Sequence, residues 1–86
     1  MIVVRILGWN TDRAWVEWRE YHRTDLEWRL GRLMDLDRVA IKRLARQIRD
    51  RQCNAVPLSK ASDRFAAESL RSFLESLGAE ATVEDA

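Results

Sequence analysis

A strand, a helix, a glycine and a second strand follow one another over residues 53–83, which read CNAVPLSKASDRFAAESLRSFLESLGAEATV. The opening residues are short and extended, and Pro57 cannot donate a backbone hydrogen bond, so we expect this strand at a sheet edge. Ser59 or Ser62 is expected to cap the helix. Gly78 stands just past the helix end, where a left-handed residue is common. The apolar positions of this helix are Phe65, Ala66, Leu70, Phe73, Leu74 and Leu77.

Two further strands are predicted outside this helix. Residues 2–7 read IVVRIL, a β-branched and apolar run with one charge that is typical of a central strand, and Gly8 ends it. Residues 81–83 form a brief final strand. The resulting order is β-α-α-β-α-β in one domain, residues 1–86. It predicts an α+β fold in two layers, with helices covering one face of a small antiparallel sheet.

Residues 11–34 leave two arrangements open. Residues 10–12 are all helix-capping types, and an apolar period begins there, which favours one long helix. The pair Thr24 and Glu27 forms a capping box, which instead favours a new helix beginning at residue 24. Both arrangements give an apolar face formed by Leu26, Leu30 and Leu33.

A second helix is predicted over residues 36–51, with Asp35 as its cap. One of its faces is apolar: Leu36, Val39, Ala40, Leu44, Ala45 and Ile48. The opposite face is basic: Arg38, Lys42, Arg43, Arg46, Arg49 and Arg51. Across the chain, the residues expected to be mostly buried are Val4, Ile6, Leu36, Leu44, Ile48, Phe65, Phe73, Leu74 and Leu77.

Composition bounds the class of protein. The chain has 86 residues, of which 47% are hydrophobic and 34% charged, a mix typical of a globular domain. Its net charge of +1 divides unevenly, because residues 1–52 carry 12 basic and 8 acidic side chains while residues 53–86 carry 3 and 6. One cysteine excludes an internal disulfide framework. No apolar run approaches the ~20 residues of a membrane span, so we expect a cytoplasmic protein.

The chemistry of an enzyme is hard to assemble from these residues. His22 and Cys53 are the single histidine and cysteine, and sequence distance alone leaves a Cys–His nucleophile pair open. A small buried hydrophobe is the favoured interpretation of Cys53, and a partly exposed polar residue that of His22. Three glycines do not form a phosphate-binding loop, and no metal-ligand spacing occurs. The expectation is a non-enzymatic protein without a cofactor or metal.

Residues 66–83 resemble the end of the C-terminal domain of the bacterial ribosomal stalk protein. The Clp protease adaptor that reads N-terminal degradation signals shares that fold, and residues 35–38 and 10–12 are similar to its motifs. The adaptor family binds the N-terminal amine with a histidine on its second helix, and the nearest position in this chain is occupied by Gln47. The Gly-Leu-Gly-Leu turn of the stalk family is also missing from this sequence. The resemblance implies a fold and a habit of binding other proteins. The residues matching the stalk domain are Ala67, Glu68, Leu70, Leu74, Glu75, Gly78, Ala79, Glu80 and Val83.

The four tryptophans suggest where binding takes place, because all lie in the first third of the chain. Trp18 fits a core position. If a helix begins at residue 24, Trp28 points roughly opposite to the leucine face. In one long helix, Trp28 joins a second apolar stripe with Ala14, Trp18 and Tyr21. Either arrangement leaves apolar surface that the protein itself does not cover. Tryptophan and arginine are enriched at interaction hot spots. The predicted partner-binding residues are Trp9, Asn10, Asp12, Trp15, Trp28, Arg29 and Arg32.

Two other functions compete with this hypothesis of a protein-binding adaptor or regulator. A nucleic-acid-binding domain would use the basic helix for phosphate contacts and tryptophan for base stacking, with Lys42, Arg43, Arg46 and Arg49 as its residues. A pI near 8.0 is below the basic footprint usual for that class. The third hypothesis is a structural unit that pairs with a second copy of itself.

Overall fold

The structure of the chain, a computed structural model, describes residues 1–60 and 63–85. Within them, strand β1 (Ile2–Trp9) leads through a short 3-10 turn (Thr11–Arg13) to two helices. The remaining elements, in chain order, are α1 (Glu20–Leu33), α2 (Arg38–Arg49), β2 (Ala55–Leu58), α3 (Arg64–Ser76) and β3 (Ala79–Asp85). The predicted α+β fold in the order β-α-α-β-α-β is confirmed. No helix in the described part of the chain has the length and apolarity needed to cross a membrane.

The sheet has the strand order β2-β1-β3, and both pairings are antiparallel. The first strand therefore lies in the centre, as its apolar run predicts. Val4 pairs with Val56 on one side and with Val83 on the other, and a bulge follows Ile6. The edge position predicted from Pro57 is also confirmed, since β2 pairs with β1 alone. An edge strand tolerates the missing backbone donor because one side of the strand makes no ladder.

Both predicted arrangements of residues 11–34 are wrong. After the 3-10 turn the chain runs without helix to residue 19, and α1 begins at Glu20, so Thr24 lies inside the helix. Tertiary hydrogen bonds outweigh the local capping signals here, because the backbone amides of Trp15 and Val16 both donate to the Ser76 carbonyl at 3.1 and 3.2 Å. The expected leucine face is nevertheless correct: Leu26, Leu30 and Leu33 are buried.

His22 is buried, with 6% of its surface exposed, and the expectation of a partly exposed polar residue is wrong. It stands in the first turn of α1, where its Nδ1 accepts a hydrogen bond from the backbone amide of Arg19 at 2.8 Å. This bond satisfies a backbone donor at the start of the helix. Its ring also contacts aromatic neighbours, Trp18, Tyr21 and Phe73.

Helix α2 begins two residues later than predicted, because Asp37 rather than Asp35 is its cap. The Asp37 side chain accepts a hydrogen bond from the amide of Ala40 at 2.8 Å. The buried face of α2 comprises Ile41, Ala45 and Ile48, and Leu44 is partly buried. The expected burial of Leu36 is wrong, since 43% of its surface is exposed. Val39, which the sequence pattern assigns to the apolar face, is 66% exposed.

The cap of α3 also differs from the prediction. Asp63 caps it, with its carboxylate accepting from the amide of Ala66 at 2.8 Å. Ser59 instead accepts a hydrogen bond from the Asp35 amide, and Ser62 lies outside the described residues. The buried face of α3 comprises Ala67, Leu70 and Leu74. Phe65 lies about 200° around the helix from Ala67 at 100° per residue, and it is 83% exposed. The prediction that Phe65 is a core residue is wrong.

Gly78 closes α3 as predicted. Its φ of +100° lies in the left-handed region, and its amide donates to the Glu75 carbonyl. A Cβ at this position would stand 2.7 Å from the backbone oxygen of Asn10, so the close approach of β1's end also requires glycine. The final strand begins at the next residue and extends beyond the predicted 81–83 at both ends.

The core lies between the helices and the inner face of the sheet. Of the residues expected there, five are buried: Val4, Ile6, Ile48, Leu74 and Leu77. Leu44 and Phe73 are partly buried against this core, and so is Trp18, as expected. Cys53 is buried as predicted, with 7% of its surface exposed.

Candidate functional site

A groove between α1 and α3 brings together exposed aromatic side chains of the two helices, Trp28 and Phe65. It consists of two adjoining depressions of about 390 and 480 Å3 that share Arg29, Phe65 and Ser69. Each volume falls in the range of small-molecule pockets. We call this surface the α1–α3 groove and define it by Trp15, Trp28, Arg29, Arg32, Phe65, Ser69 and Phe73.

Trp28 and Arg32 form one rim of the groove. The indole of Trp28 is 60% exposed, and the guanidinium carbon of Arg32 lies 4.8 Å from its ring centroid. This is cation–π contact at one helical turn of spacing. Arg32 forms no ion pair among residues 1–60 and 63–85. Its charge is therefore offered to solvent or to a partner.

Arg29 holds the two helices together beneath that rim. Its Nε donates to Asp25 at 3.2 Å and its Nη1 to the Ser69 hydroxyl at 3.2 Å. The guanidinium carbon also lies 4.9 Å from the centroid of the Phe73 ring. Three contacts to two helices fix this side chain, so it orders the groove before anything binds.

Phe65 forms the opposite rim. It is the second residue of α3, and its exposed fraction is the largest among the exposed large hydrophobic side chains of the described residues. The capping carboxylate of Asp63 lines the groove beside it. Phe65 and Trp28 both line one depression of the groove and are both exposed. Apolar surface in contact with water is unfavourable in free energy, and neither exposed ring adds to the core.

Trp15 stands at the far end of the groove and is 64% exposed. The non-helical segment 14–19 carries it, and this segment is anchored to the end of α3 through the Ser76 carbonyl. Four of the seven predicted partner-binding residues therefore share one surface: Trp15, Trp28, Arg29 and Arg32.

The other three predicted residues do not line this groove. Trp9 packs partly buried against the core and lines a separate cavity of about 400 Å3, and its Nε1 has no hydrogen-bond acceptor within the described residues. Asn10 caps the 3-10 turn by accepting from the amide of Asp12 at 3.1 Å. Asp12 is exposed in that turn. The structure thus gives Asn10 a local structural role.

The basic residues predicted for the alternative function all lie on the exposed side of α2. Lys42, Arg43, Arg46 and Arg49 are exposed. Arg49 donates from Nε to Asp50 at 3.0 Å, and this hydrogen bond raises the pKa of Arg49. The sequence places these four residues on the exposed face correctly. The prediction that Arg51 lies on the same face is wrong, because α2 ends at Arg49 and Arg51 lies beyond it with a φ of 61°.

In the part of the chain that the structure describes, no hydrogen bond joins Cys53 to His22, whose Nδ1 accepts from the Arg19 amide. The Cys53 thiol donates to the Ala55 carbonyl at 3.3 Å, and burial raises its pKa. A raised pKa disfavours the thiolate, which is the nucleophilic form. Within residues 1–60 and 63–85 no cluster of three or more His, Cys, Asp or Glu side chains forms a candidate metal site.

Three groove residues were missed by sequence reasoning as contact residues: Phe65, Ser69 and Phe73. The signal for Phe65 is its spacing from Leu74, because nine residues at 100° per residue place the two side chains about 180° apart on α3. Ser69 carries no such signal in the sequence.

Comparison with protein-family models, with curated proteins and with solved structures gives no match for this chain. The resemblance to the stalk and adaptor domains therefore stays a prediction. Gln47, which stands near the adaptor family's histidine, is exposed on α2.

Proposed function

We propose that the protein is a non-enzymatic protein-binding module and that the α1–α3 groove is its docking surface. The observation that carries the proposal is the pair of exposed rims, Trp28 at 60% and Phe65 at 83%, on either side of one depression. Exposed apolar patches rimmed by polar groups are typical of interaction sites. Tryptophan and arginine, which this groove combines, dominate the binding energy of measured interfaces.

The charge of Arg32 favours an acidic group in the partner. Arg29 is already paired with Asp25, whereas Arg32 has no ion pair among the described residues. A carboxylate from a partner would find Arg32 held in place over the Trp28 ring. The occupant is therefore a segment of another protein that inserts one large apolar side chain between Trp28 and Phe65 and places an Asp or Glu against Arg32.

Selection from a displayed library of random peptides tests this proposal. We expect the enriched peptides to share one large apolar residue with an acidic residue within a helical turn of it. Phe65→Ala and Trp28→Ala should each weaken binding of an enriched peptide at least tenfold, and Arg32→Gln should weaken acidic peptides selectively.

Matched control variants distinguish peptide binding in the groove from nonspecific binding elsewhere on the surface. Val39→Ala removes an exposed apolar side chain on α2, and Arg46→Gln removes an exposed charge there. Both should leave peptide binding unchanged. A selection that enriches no peptide, or peptides that bind Phe65→Ala as tightly as the parent, would overturn the proposal. Sedimentation of the free protein detects the rival occupant, because self-association lost in Phe65→Ala would identify a second copy in the groove.

A further inference from the structure

The exposed face of α2 carries charge of one sign. The helix reads RVAIKRLARQIR, with five basic residues and no acidic residue. All five basic side chains are exposed, while the apolar face formed by Ile41, Ala45 and Ile48 is buried in the core. The basic residues are Arg38, Lys42, Arg43, Arg46 and Arg49.

Four of these five charges are not neutralised within the described part of the chain. Arg49 pairs with Asp50 at 3.0 Å, and the others form no ion pair there. Most arginines of the other two helices are paired, as Arg23, Arg64 and Arg71 show. The positive potential of the molecule is therefore concentrated on α2, although the net charge of the whole chain is only +1.

The spacing of these charges makes a row along the helix. Arg38, Lys42 and Arg46 are four residues apart, or about 6 Å at 1.5 Å per residue, and Arg49 follows one turn later. The row spans about 16 Å. Along that length of duplex axis each nucleic-acid strand carries about five phosphates, at 3.4 Å of axis per nucleotide. Arg43 lies beside the row.

We propose that this face of α2 binds the phosphate backbone of duplex nucleic acid without regard to sequence. Guanidinium groups, which make up four of the five charges, match phosphate oxygens in pairs. Bilayer insertion is disfavoured because the apolar face of α2 is already buried. The helix carries no aromatic residue for stacking on single-stranded bases, which favours the duplex. This inference does not depend on the α1–α3 groove.

Fluorescence anisotropy of a labelled random-sequence DNA duplex of about 20 base pairs tests the inference. With four phosphate contacts, affinity should fall by roughly 150-fold between 50 and 200 mM salt, because counterion release gives a slope of about −3.6. The double variant Lys42→Gln/Arg46→Gln should reduce that fall to about 12-fold, since two contacts remain. Scrambling the duplex sequence should change nothing.

The control is Arg13→Gln/Arg64→Gln, which removes two exposed charges outside α2 and should keep the parent's salt dependence. Thermal melting of both double variants should stay close to that of the parent, because all four side chains are exposed. Three results would overturn the inference: no duplex binding at 50 mM salt, an equal loss in the control variant, or binding to vesicles of 70% phosphatidylcholine and 30% phosphatidylglycerol without binding to the duplex.

Discussion

Replacement of Phe65 by alanine separates a binding role from a packing role on a single helix. Phe65 is 83% exposed, so folding covers about a sixth of its surface, roughly 35 Å2 of an aromatic side chain of about 200 Å2. At about 25 cal/mol per Å2 this burial contributes roughly 0.9 kcal/mol to the free energy of unfolding. Alanine regains about 0.5 kcal/mol through its higher helix propensity. The expected net loss of stability is therefore about 0.4 kcal/mol.

Leu70 on the same helix provides the contrast, because it is 1% exposed. Leu70→Ala should cost about 2–5 kcal/mol through lost burial and the cavity left behind. Urea denaturation followed by tryptophan fluorescence measures both variants. If Phe65→Ala loses 2 kcal/mol or more, Phe65 packs in solution as a core residue, and the reasoning that assigns it to the rim of a docking surface is refuted.

Three further outcomes follow from particular backbone and charge contacts. Gly78→Ala should destabilise the fold by about 2 kcal/mol or more in urea denaturation, because the left-handed φ and the backbone oxygen of Asn10 at 2.7 Å both oppose a Cβ. Gly31→Ala should instead stabilise α1 by about 0.5–1 kcal/mol in the same assay, because a Cβ at residue 31 meets nothing within 4 Å. The hydrogen bond from Arg5 lowers the pKa of Glu84, so its contribution to stability is present above pH 4.5, the ordinary value, and is lost as the pH falls through the lowered value. Arg5→Gln should flatten the stability profile in that acidic window, and an unchanged profile would show that the pair contributes nothing.

The sheet and the final helix could be predicted because their signals are local and unopposed. The apolar run of β1, the proline of β2 and the glycine after α3 each fix one backbone feature, and the structure contains all three. The order of elements follows from these signals, and with it the α+β fold.

The start of each helix could not be predicted, because several capping residues compete at every start. Asp35 and Asp37 are both good caps, as are Ser59 and Asp63, and only tertiary contacts select between them. The prediction of helix over residues 14–19 was wrong for a related reason, because the amides of Trp15 and Val16 donate to the carbonyl of Ser76, which is distant in sequence.

The side-chain angles within a helix do not depend on its start. At 100° per residue, Phe65 lies about 140–180° around α3 from the buried Ala67, Leu70 and Leu74, so it lies on the surface. Val39 likewise lies about 160–180° from the buried Ile41 and Ile48 of α2.

Part of the candidate site was predictable from composition. The clustering of tryptophan and arginine in the first third of the chain predicted Trp28, Arg29 and Arg32, which share the groove. Phe65 and Ser69 come from α3, about 40 residues away in sequence, and only the packing of α1 on α3 brings them to the same surface. Trp9 and Asn10 have packing and capping contacts that no count of residue types reveals.

Chemical-shift mapping tests most directly whether the α1–α3 groove is the docking surface. A peptide enriched by the selection described above is titrated into uniformly 15N-labelled protein, and the amide and indole resonances are followed. We expect the largest changes on residues 28–33 and 63–73, including the indole N–H of Trp28, and none on α2 or the sheet. Changes concentrated on residues 38–49, or spread evenly over the molecule, would contradict the proposal.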